Sequence, residues 1–221
     1  MKLIAVFLMT GVSRAFCDQT DFYFNFDSGA VFQQPTTILS HPIPFSGTFR
    51  DHVTFNPGFR SDVRIGYHLD QSWSAELATG FIWNSVNRID GIPVDAVGNS
   101  IDIYQVPIMA NIVYRVPLDE DWTFRVESGI GGDFSVYDYT LFGGGGPSTH
   151  ASGQANAFSL AYGAGIGLEY ALSEQISAGI DYKFLSIVDQ SWNLNINGAG
   201  YHAAHEGVYM HAVVASFIWR F

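Results

Sequence analysis

A short stretch near the C-terminus contains side chains that could bind a metal ion. In HAAHEG, two imidazoles and a carboxylate come from His202, His205 and Glu206, and these are groups that coordinate Zn²⁺. Their spacing matches neither of the common zinc-enzyme motifs, and no fourth ligand is evident in the sequence. We therefore predict solvated loop histidines and no metal site.

A second candidate is the His-x-Ser pair formed by His150 and Ser152. A histidine near a serine could activate the hydroxyl as a nucleophile. The pair follows the run GGGGPST, whose composition is typical of a loop and gives no rigid support. We expect no catalytic site here. The sequence contains no phosphate-binding or nucleotide-binding motif, so no cofactor is predicted.

The largest candidate group is a set of charged residues at alternate positions, which we predict to share the inner face of a closed sheet. It comprises Asp27, Arg60, Asp62, Arg64, Glu76, Arg115, Arg125, Glu127, Asp133, Glu169, Asp181, Lys183 and Arg220. Six are basic and seven are acidic. Near-balance predicts mutual pairing, because an isolated buried charge is costly. Our interpretation is a lumen plugged by salt bridges, and the alternative is a gated ion path.

Six glycines belong to the same predicted inner face: Gly129, Gly131, Gly163, Gly165, Gly167 and Gly179. They leave room for long side chains from the opposite wall, such as Arg60, Arg64 and Glu76. They could equally leave room for water. The sequence does not decide between these two arrangements.

Alternation of apolar and polar residues positions these groups, and it recurs eight times along the chain. In FSLAYGAGIGLEY, large apolar residues and small or charged residues occupy opposite faces. The eight stretches cover roughly residues 22–26, 53–67, 73–83, 104–114, 122–134, 158–170, 176–184 and 209–221, with Pro57 as a bulge in the second. The pattern predicts eight antiparallel β-strands.

The connections between these strands alternate in length. Three are short and acidic (LDQSW, PLDED and LSEQI), and four are long, covering residues 33–50, 88–100, 140–156 and 190–206. Aromatic residues lie near both strand ends: Trp73, Trp122, Tyr170 and Trp219 near the short turns, and Trp83, Tyr137 and Tyr209 near the long loops. This arrangement predicts an all-β transmembrane barrel with two interfacial aromatic girdles, short periplasmic turns and four long extracellular loops.

Composition supports this fold class. Charged residues make up 14% and aromatic residues 15% of the chain, and the formal net charge is -11. Nucleic acid is excluded as a partner, because its phosphates require basic patches. After Val12 no apolar run is long enough for a membrane-spanning helix, so a membrane protein of this sequence must span as a closed barrel. An unusually apolar soluble β-protein is the alternative.

The N-terminus reads as a secretory signal over residues 1–17, with Lys2 followed by an apolar stretch. Cleavage could follow Ala15 or Cys17, which would leave residues 18–221 as the barrel domain. Since Cys17 is the only cysteine, no disulfide is predicted.

The C-terminus, VVASFIWRF, carries rings at Phe217, Trp219 and Phe221. Together with VPIMANIVYRVPL and GIGLEYALSEQISAGIDYKF, it resembles the small eight-stranded outer-membrane family that includes the OmpA transmembrane domain and the opacity-type adhesins. The likeness runs over most of residues 18–221. The ending resembles the family's C-terminal signal, which implies recognition by the barrel-insertion machinery. No counterpart of the periplasmic domain of full-length OmpA is present in the sequence.

We predict a monomeric, non-enzymatic protein in the outer membrane of a Gram-negative-type envelope. Its partners would be membrane lipid, the insertion machinery and an extracellular ligand bound through the four long loops. We predict a structural or surface-binding, adhesin-like role. The alternative is a narrow, porin-like channel for ions or small solutes. Third is an enzyme acting on lipid, since a lipid A deacylase on a similar barrel would use a His-x-Ser pair.

Overall fold

The computed structural model describes residues 21–43, 48–95, 98–142, 150–188, 190–196 and 199–221. The predicted signal segment, residues 1–17, lies outside these residues. Within them the chain forms β1 (Phe22–Gln33), β2 (Thr36–Ile43), β3 (Phe49–Phe55), β4 (Gly58–His68), β5 (Trp73–Ile89), β6 (Ile92–Pro93), β7 (Ser100–Pro117), β8 (Trp122–Phe142), β9 (His150–Ala171), β10 (Ile176–Ile187), β11 (Ser191–Ile196), β12 (Ala199–His205) and β13 (Val208–Arg220). In this described part, no helix is long and apolar enough to cross a membrane.

Eight strands close into an antiparallel barrel, which confirms the predicted fold class. Their order around the wall is β1, β4, β5, β7, β8, β9, β10 and β13, and β13 pairs again with β1. The first and last strands meet along a continuous ladder from Tyr23–Arg220 to Gln33–Met210. Closure leaves no strand edge unpaired in this ring, as a hydrocarbon environment requires.

A second tier continues the wall above the first at the end of the long connections. We call it the upper tier: β2, β3, β11 and β12, with residues 84–89, 100–105, 135–142 and 150–157 of the four long strands. The rest of the barrel is the lower tier. The pairing keeps its register across the junction of the tiers. Gln33 pairs with Met210 below the junction and Ile38 with His205 above it, so the two pairs are five residues apart on each side.

Four strands are interrupted at the junction of the tiers, and a proline or glycine lies at three of the breaks. Pro35 separates β1 from β2, and Pro57 separates β3 from β4. Proline has no backbone N–H to donate to a ladder. Gly207, between β12 and β13, has a φ of +155°, which side-chain-bearing residues rarely adopt. Pro57 was predicted as a bulge within one strand, and the structure instead ends one strand and begins another around it.

Two of the predicted long loops are therefore largely strand. The stretch 33–50 contains β2 and the start of β3, and 190–206 contains β11 and β12. Much of 140–156 continues β8 and β9, whereas residues 143–149 lie outside the described part. The second predicted strand also changes face at its break. Val53 and Phe55, expected on the outer face, pack inside the upper tier.

The outer face of the lower tier is apolar and exposed along its whole height. Phe158 is 74% and Leu77 is 63% exposed. Exposed rings pair at the end of the short turns: Trp73 with Tyr114, Trp122 with Tyr170, and Trp219 with Phe221, at centroid distances of 4.7, 5.0 and 4.7 Å. Tyr137, predicted for the opposite girdle, is instead buried inside the barrel.

The acidic residues of the short turns hold the turn backbone. Asp70 Oδ1 accepts hydrogen bonds from the backbone N–H groups of Ser72 and Trp73, at 2.7 and 2.8 Å. Asp119 does the same for Asp121 and Trp122, at 2.9 and 2.8 Å. These bonds favour the ionised carboxylate, and the bond from Ser72 is the main reason that the pKa of Asp70 lies below its usual value.

Candidate functional site

Arg64 is the centre of the charge cluster in the lower tier. Its guanidinium lies 2.7 Å from Asp27, 3.1 Å from Glu76, 2.5 Å from Glu127 and 3.6 Å from Asp181. The four carboxylates come from β1, β5, β8 and β10, and the Arg64 side chain is only 1% exposed. One guanidinium thus joins four parts of the wall across the lumen, where its five N–H donors suit several acceptors.

Lys183 and Arg60 extend the cluster toward the upper tier. The Lys183 ammonium contacts Asp27 and lies 3.0 Å from Asp62 and 3.9 Å from Glu127. Arg60 Nε lies 2.8 Å from Asp62 Oδ2. Each of these carboxylates has a cationic partner, so the charges compensate one another in the buried space.

Arg125 and Arg115 extend the cluster toward the short turns. Arg125 lies 2.8 Å from Glu127. Arg115 lies 3.8 Å from Glu76 and stacks 4.6 Å above the ring of Tyr23, whose hydroxyl donates to Glu76 at 2.6 Å. Cation–π contact and charge pairing together fix this end of the lumen.

The structure places all thirteen predicted residues on the inner face, but three of them lie away from the centre. Glu169 pairs with Arg220 at the turn end, where Arg220 is 22% exposed. Asp133 lies at the opposite end of the lower tier and accepts a hydrogen bond from Ser135. The charged region is therefore one central cluster with a separate pair below and a separate carboxylate above.

Side chains of neighbouring strands fill the space beside the inner glycines. A Cβ on Gly167 would lie 1.7 Å from Asp181 Oδ1, and one on Gly129 would lie 1.8 Å from Asn111 Oδ1. For Gly165 the nearest atom belongs to Glu127, at 2.9 Å. Side chains of adjacent strands therefore occupy the space beside these glycines, whereas we expected it to hold Arg60, Arg64 and Glu76 from across the lumen.

A small cavity remains beside the charged side chains of the cluster. It has a volume of about 30 Å³ and is lined by Arg60, Met109, Glu127, Gly129 and Leu185, among others. This is space on the scale of one or two water molecules. Side chains therefore fill much of the lumen, and a small void lies beside them.

An apolar layer, not anticipated from the sequence, crosses the lumen above the charges. Its buried members include Val31, Ile82, Met109, Ala161, Leu185, Ile187, Met210 and Val214. They alternate with outward-facing apolar residues, so these strand segments are apolar on both faces. The sequence did contain a signal for this layer, because its residues lie an even number of positions from the charged residues and therefore on the same face. Leu185, for example, is two residues from Lys183.

A chain of hydrogen bonds leads from this layer into the upper tier. Ser135 donates to Asp133, Gln190 Nε2 donates to Ser135 at 2.5 Å, and the Tyr137 hydroxyl donates to Gln190. Ser135 and Gln190 have no measurable exposure. The three bonds link four buried polar side chains, although Asp133 Oδ1 has no hydrogen-bond partner among the described residues.

Aromatic rings fill the upper tier. Tyr137 stacks on Trp192 at 4.2 Å with an angle of 14° between the planes, and Trp192 contacts the ring of His205 at 4.8 Å. They belong to a buried cluster with Val53, Val86, Val94, Ile103, Ala155, Ala157 and Ala203. His205 is 4% exposed, and burial lowers its pKa to about 3 because the charged form is poorly solvated there.

The other candidate residues do not assemble into a site. His205 was predicted to be a solvated loop histidine, but it lies in β12 and is buried inside the upper tier, because its side chain points to the inner face. His202 is exposed on the outer face of the same strand, and Glu206 pairs with Arg50. Among the described residues, no three His, Cys, Asp or Glu side chains are grouped so that they could hold a metal ion. His150 is the first residue of β9, but its side chain lies outside what the structure describes.

An apolar exterior, a closed ladder and a paired polar interior define this molecule as a membrane-spanning β-barrel. The sequence profile of the family described as "Outer membrane protein beta-barrel domain" matches residues 10–221. The chain belongs to that family. No curated protein sequence matches it significantly.

Solved structures of outer-membrane proteins share the fold at low sequence identity. The outer membrane protein OprG from Pseudomonas aeruginosa is 13% identical, with 92% of this chain and 98% of that one covered and a TM-score of 0.62. A major outer membrane protein from Thermus thermophilus is 14% identical, with 90% and 99% covered and a TM-score of 0.57. The outer membrane protease OmpT from Escherichia coli is 9% identical, with 94% and 99% covered and a TM-score of 0.52.

Proposed function

We propose that this chain is a monomeric, non-conducting and non-catalytic outer-membrane protein that uses its upper tier as an extracellular binding surface. One observation carries the proposal: the Arg64 cluster joins the wall across the lumen through carboxylates from four strands, and the cavity beside it has a volume of about 30 Å³. An eight-stranded barrel is only just wide enough for its side chains. The barrel is therefore better suited to anchor and display than to conduct.

The apolar layer provides a second barrier above the charges. Met109, Leu185 and Met210 approach within it from β7, β10 and β13. A hydrophobic constriction excludes water and hydrated ions even where its atoms leave a narrow path. Conduction would require both layers to rearrange, so the channel function takes second place.

The upper tier has the features of a rigid support. Its strands continue the barrel wall in register, and it has its own aromatic core around Trp192. Its outward side chains, such as Gln154, Asn156 and Asn193, are exposed and polar. A ligand meeting this surface would find preorganised strands, which lowers the entropic cost of binding.

The C-terminal rings support a proposal about assembly. Phe217, Trp219 and Phe221 are 44, 45 and 48% exposed on the outer face of the closing strand and its end. We propose that the barrel-insertion machinery reads this edge before the barrel closes. Replacing Phe221 with Ser should lower the outer-membrane level of the protein while folded barrels keep their heat-modifiable migration. A normal level would show that Phe221 is ordinary lipid contact.

Intact cells provide the test of the binding function. Cells that display the protein should adhere to glycan or extracellular-matrix arrays above empty-vector cells, and prior protease treatment should abolish the difference. Protease should cleave within residues 140–156 from outside. Cleavage confined to the PLDED turn would reverse the orientation. Adhesion equal to that of empty-vector cells would leave the barrel with a purely structural role.

A further inference from the structure

A row of polar side chains crosses three adjacent strands, and the residue before a fourth, on the outer face of the upper tier. His41 on β2 lies directly opposite His202 on β12, and His202 lies directly opposite Asn193 on β11. On the other side, Thr48, just before β3, contacts His41. All four residues are exposed. Residues directly opposite on paired strands have Cβ atoms about 5 Å apart and point to the same side.

Hydrogen bonds orient both imidazole rings through the same nitrogen. His202 Nδ1 lies 3.0 Å from Asn193 Oδ1, and His41 Nδ1 lies 3.2 Å from Thr48 Oγ1. An amide oxygen can only accept, so His202 Nδ1 carries the proton and its Nε2 keeps a lone pair. The Thr48 hydroxyl can accept from His41 Nδ1 in the same way. This is the arrangement in which an outer-shell partner prepares a histidine to bind a metal through Nε2.

We propose that His41 and His202 form a surface site for a divalent transition-metal ion, such as Zn²⁺ or Cu²⁺, with solvent completing its coordination. Two neutral imidazoles on one face suit borderline-soft ions better than Mg²⁺ or Ca²⁺, which prefer oxygen ligands. The site is distinct from the lumen, and it adds metal binding to the outer face of the upper tier, which includes Asn193. It requires only that β2 and β12 remain paired.

The other polar groups of this region do not contribute ligands. His205 faces the interior, and Glu206 is held by Arg50. His52, on β3, is exposed but lies opposite Thr37 instead of either histidine of the pair. It provides a matched control, because it is an exposed histidine of the same small sheet outside the row.

Zinc binding to the purified barrel in detergent micelles tests the proposal. Equilibrium dialysis should show one ion per barrel. His41→Ala and His202→Ala should each weaken binding by more than about tenfold, and Asn193→Ala, which removes a positioning residue, by about tenfold. His52→Ala should leave the affinity unchanged. Heat-modifiable migration will show that each variant remains folded.

A zinc affinity that survives either histidine substitution, or falls equally in His52→Ala, would overturn the proposal. A second measurement counts the ligands directly. Electron paramagnetic resonance of bound Cu²⁺ should show two imidazole nitrogens in the unmodified protein and one in His41→Ala. One nitrogen or none in the unmodified protein would show that the two rings do not share an ion.

Discussion

The two tiers of the barrel share four long strands, β5, β7, β8 and β9, but have opposite polarity. On β9, the outward residues Gln154 and Asn156 of the upper tier are polar, and further along the same face Phe158 is apolar. The inward residues change in the opposite direction, from Ala157 to Glu169. The medium outside the wall decides which face is apolar: water above and hydrocarbon below. The change along β9 marks the outer boundary of the membrane.

The tiers also differ in how they close. Every neighbouring pair in the lower tier is joined by a ladder, whereas β11 pairs with β12 alone among the described strands and packs beside β9 without a ladder. The lower tier is filled mainly by ion pairs and an apolar layer, and the upper tier by stacked rings. We expect the lower tier to be the more stable of the two, because its backbone groups are all paired in a ring.

Among the variants that test this difference between the tiers, Arg64→Ala should cause the largest loss of stability. Removing the guanidinium leaves four carboxylates facing one another in a buried space, so the free energy of unfolding should fall by about 3–5 kcal/mol. Urea unfolding in lipid vesicles, followed by tryptophan fluorescence, measures it. Arg50→Ala is the matched control, since its exposed pair with Glu206 in the upper tier should contribute less than about 1 kcal/mol. Equal losses in the two variants would contradict the difference between the tiers.

Trp192→Ala should weaken the upper tier alone. Removing a buried ring that stacks on Tyr137 should cost about 3 kcal/mol of local stability. Trypsin should then cut folded protein in vesicles faster at Arg50 and Arg88, while heat-modifiable migration of the lower tier stays normal. Trp192→Phe, which keeps a stacked ring, should resist trypsin more. Simultaneous loss of both tiers would show that they unfold as one unit.

Gly167→Ala tests how tightly the charged lumen is packed. The new methyl group would displace Asp181, and the free energy of unfolding should fall by about 1–3 kcal/mol. Gly163→Ala should cost less, because its added carbon would meet no atom closer than 2.9 Å. Urea unfolding of the two variants decides the order, and a neutral Gly167→Ala would mean that the lumen has spare room.

His205 makes the upper tier sensitive to acid. Its folded pKa of about 3 lies below the unfolded value of about 6.5, so its contribution to stability is complete above pH 6.5 and falls as the pH drops toward 3. At pH 5.5 the upper tier should lose about 1.4 kcal/mol. Trypsin susceptibility measured between pH 7.5 and 5.5 should rise for the unmodified protein and less for His205→Gln. An equal rise in both would assign the effect to other groups.

The sequence predicted the lower tier well because lipid imposes one constraint along each strand. Large apolar residues must occupy the outer face, so alternation alone identifies which residues point inward, including Arg64 and Glu127. Alternation cannot show which inward charges pair, because the partners of Arg64 come from strands distant in sequence. Those pairings depend on register and on the size of the closed ring.

The upper tier was missed because its strands are short and rich in turn-forming residues. TTILSHPI and AGYHAAH contain proline, glycine and polar residues, and read as loops in isolation. They become strands because neighbouring chains already paired below continue in register. Tyr137 was misassigned for a different reason. It lies three residues after Phe134 on β8, and an odd separation puts two residues on opposite faces of a strand. Because Phe134 faces outward, Tyr137 faces inward.

Conductance across a planar lipid bilayer tests the central claim, that the lumen is closed by its own side chains, most directly. In symmetric salt, we predict no steady current steps from the unmodified protein and brief openings from Arg64→Ala. Stable channels of uniform size and defined ion selectivity from the unmodified protein would contradict the account, and would identify the molecule as a narrow pore.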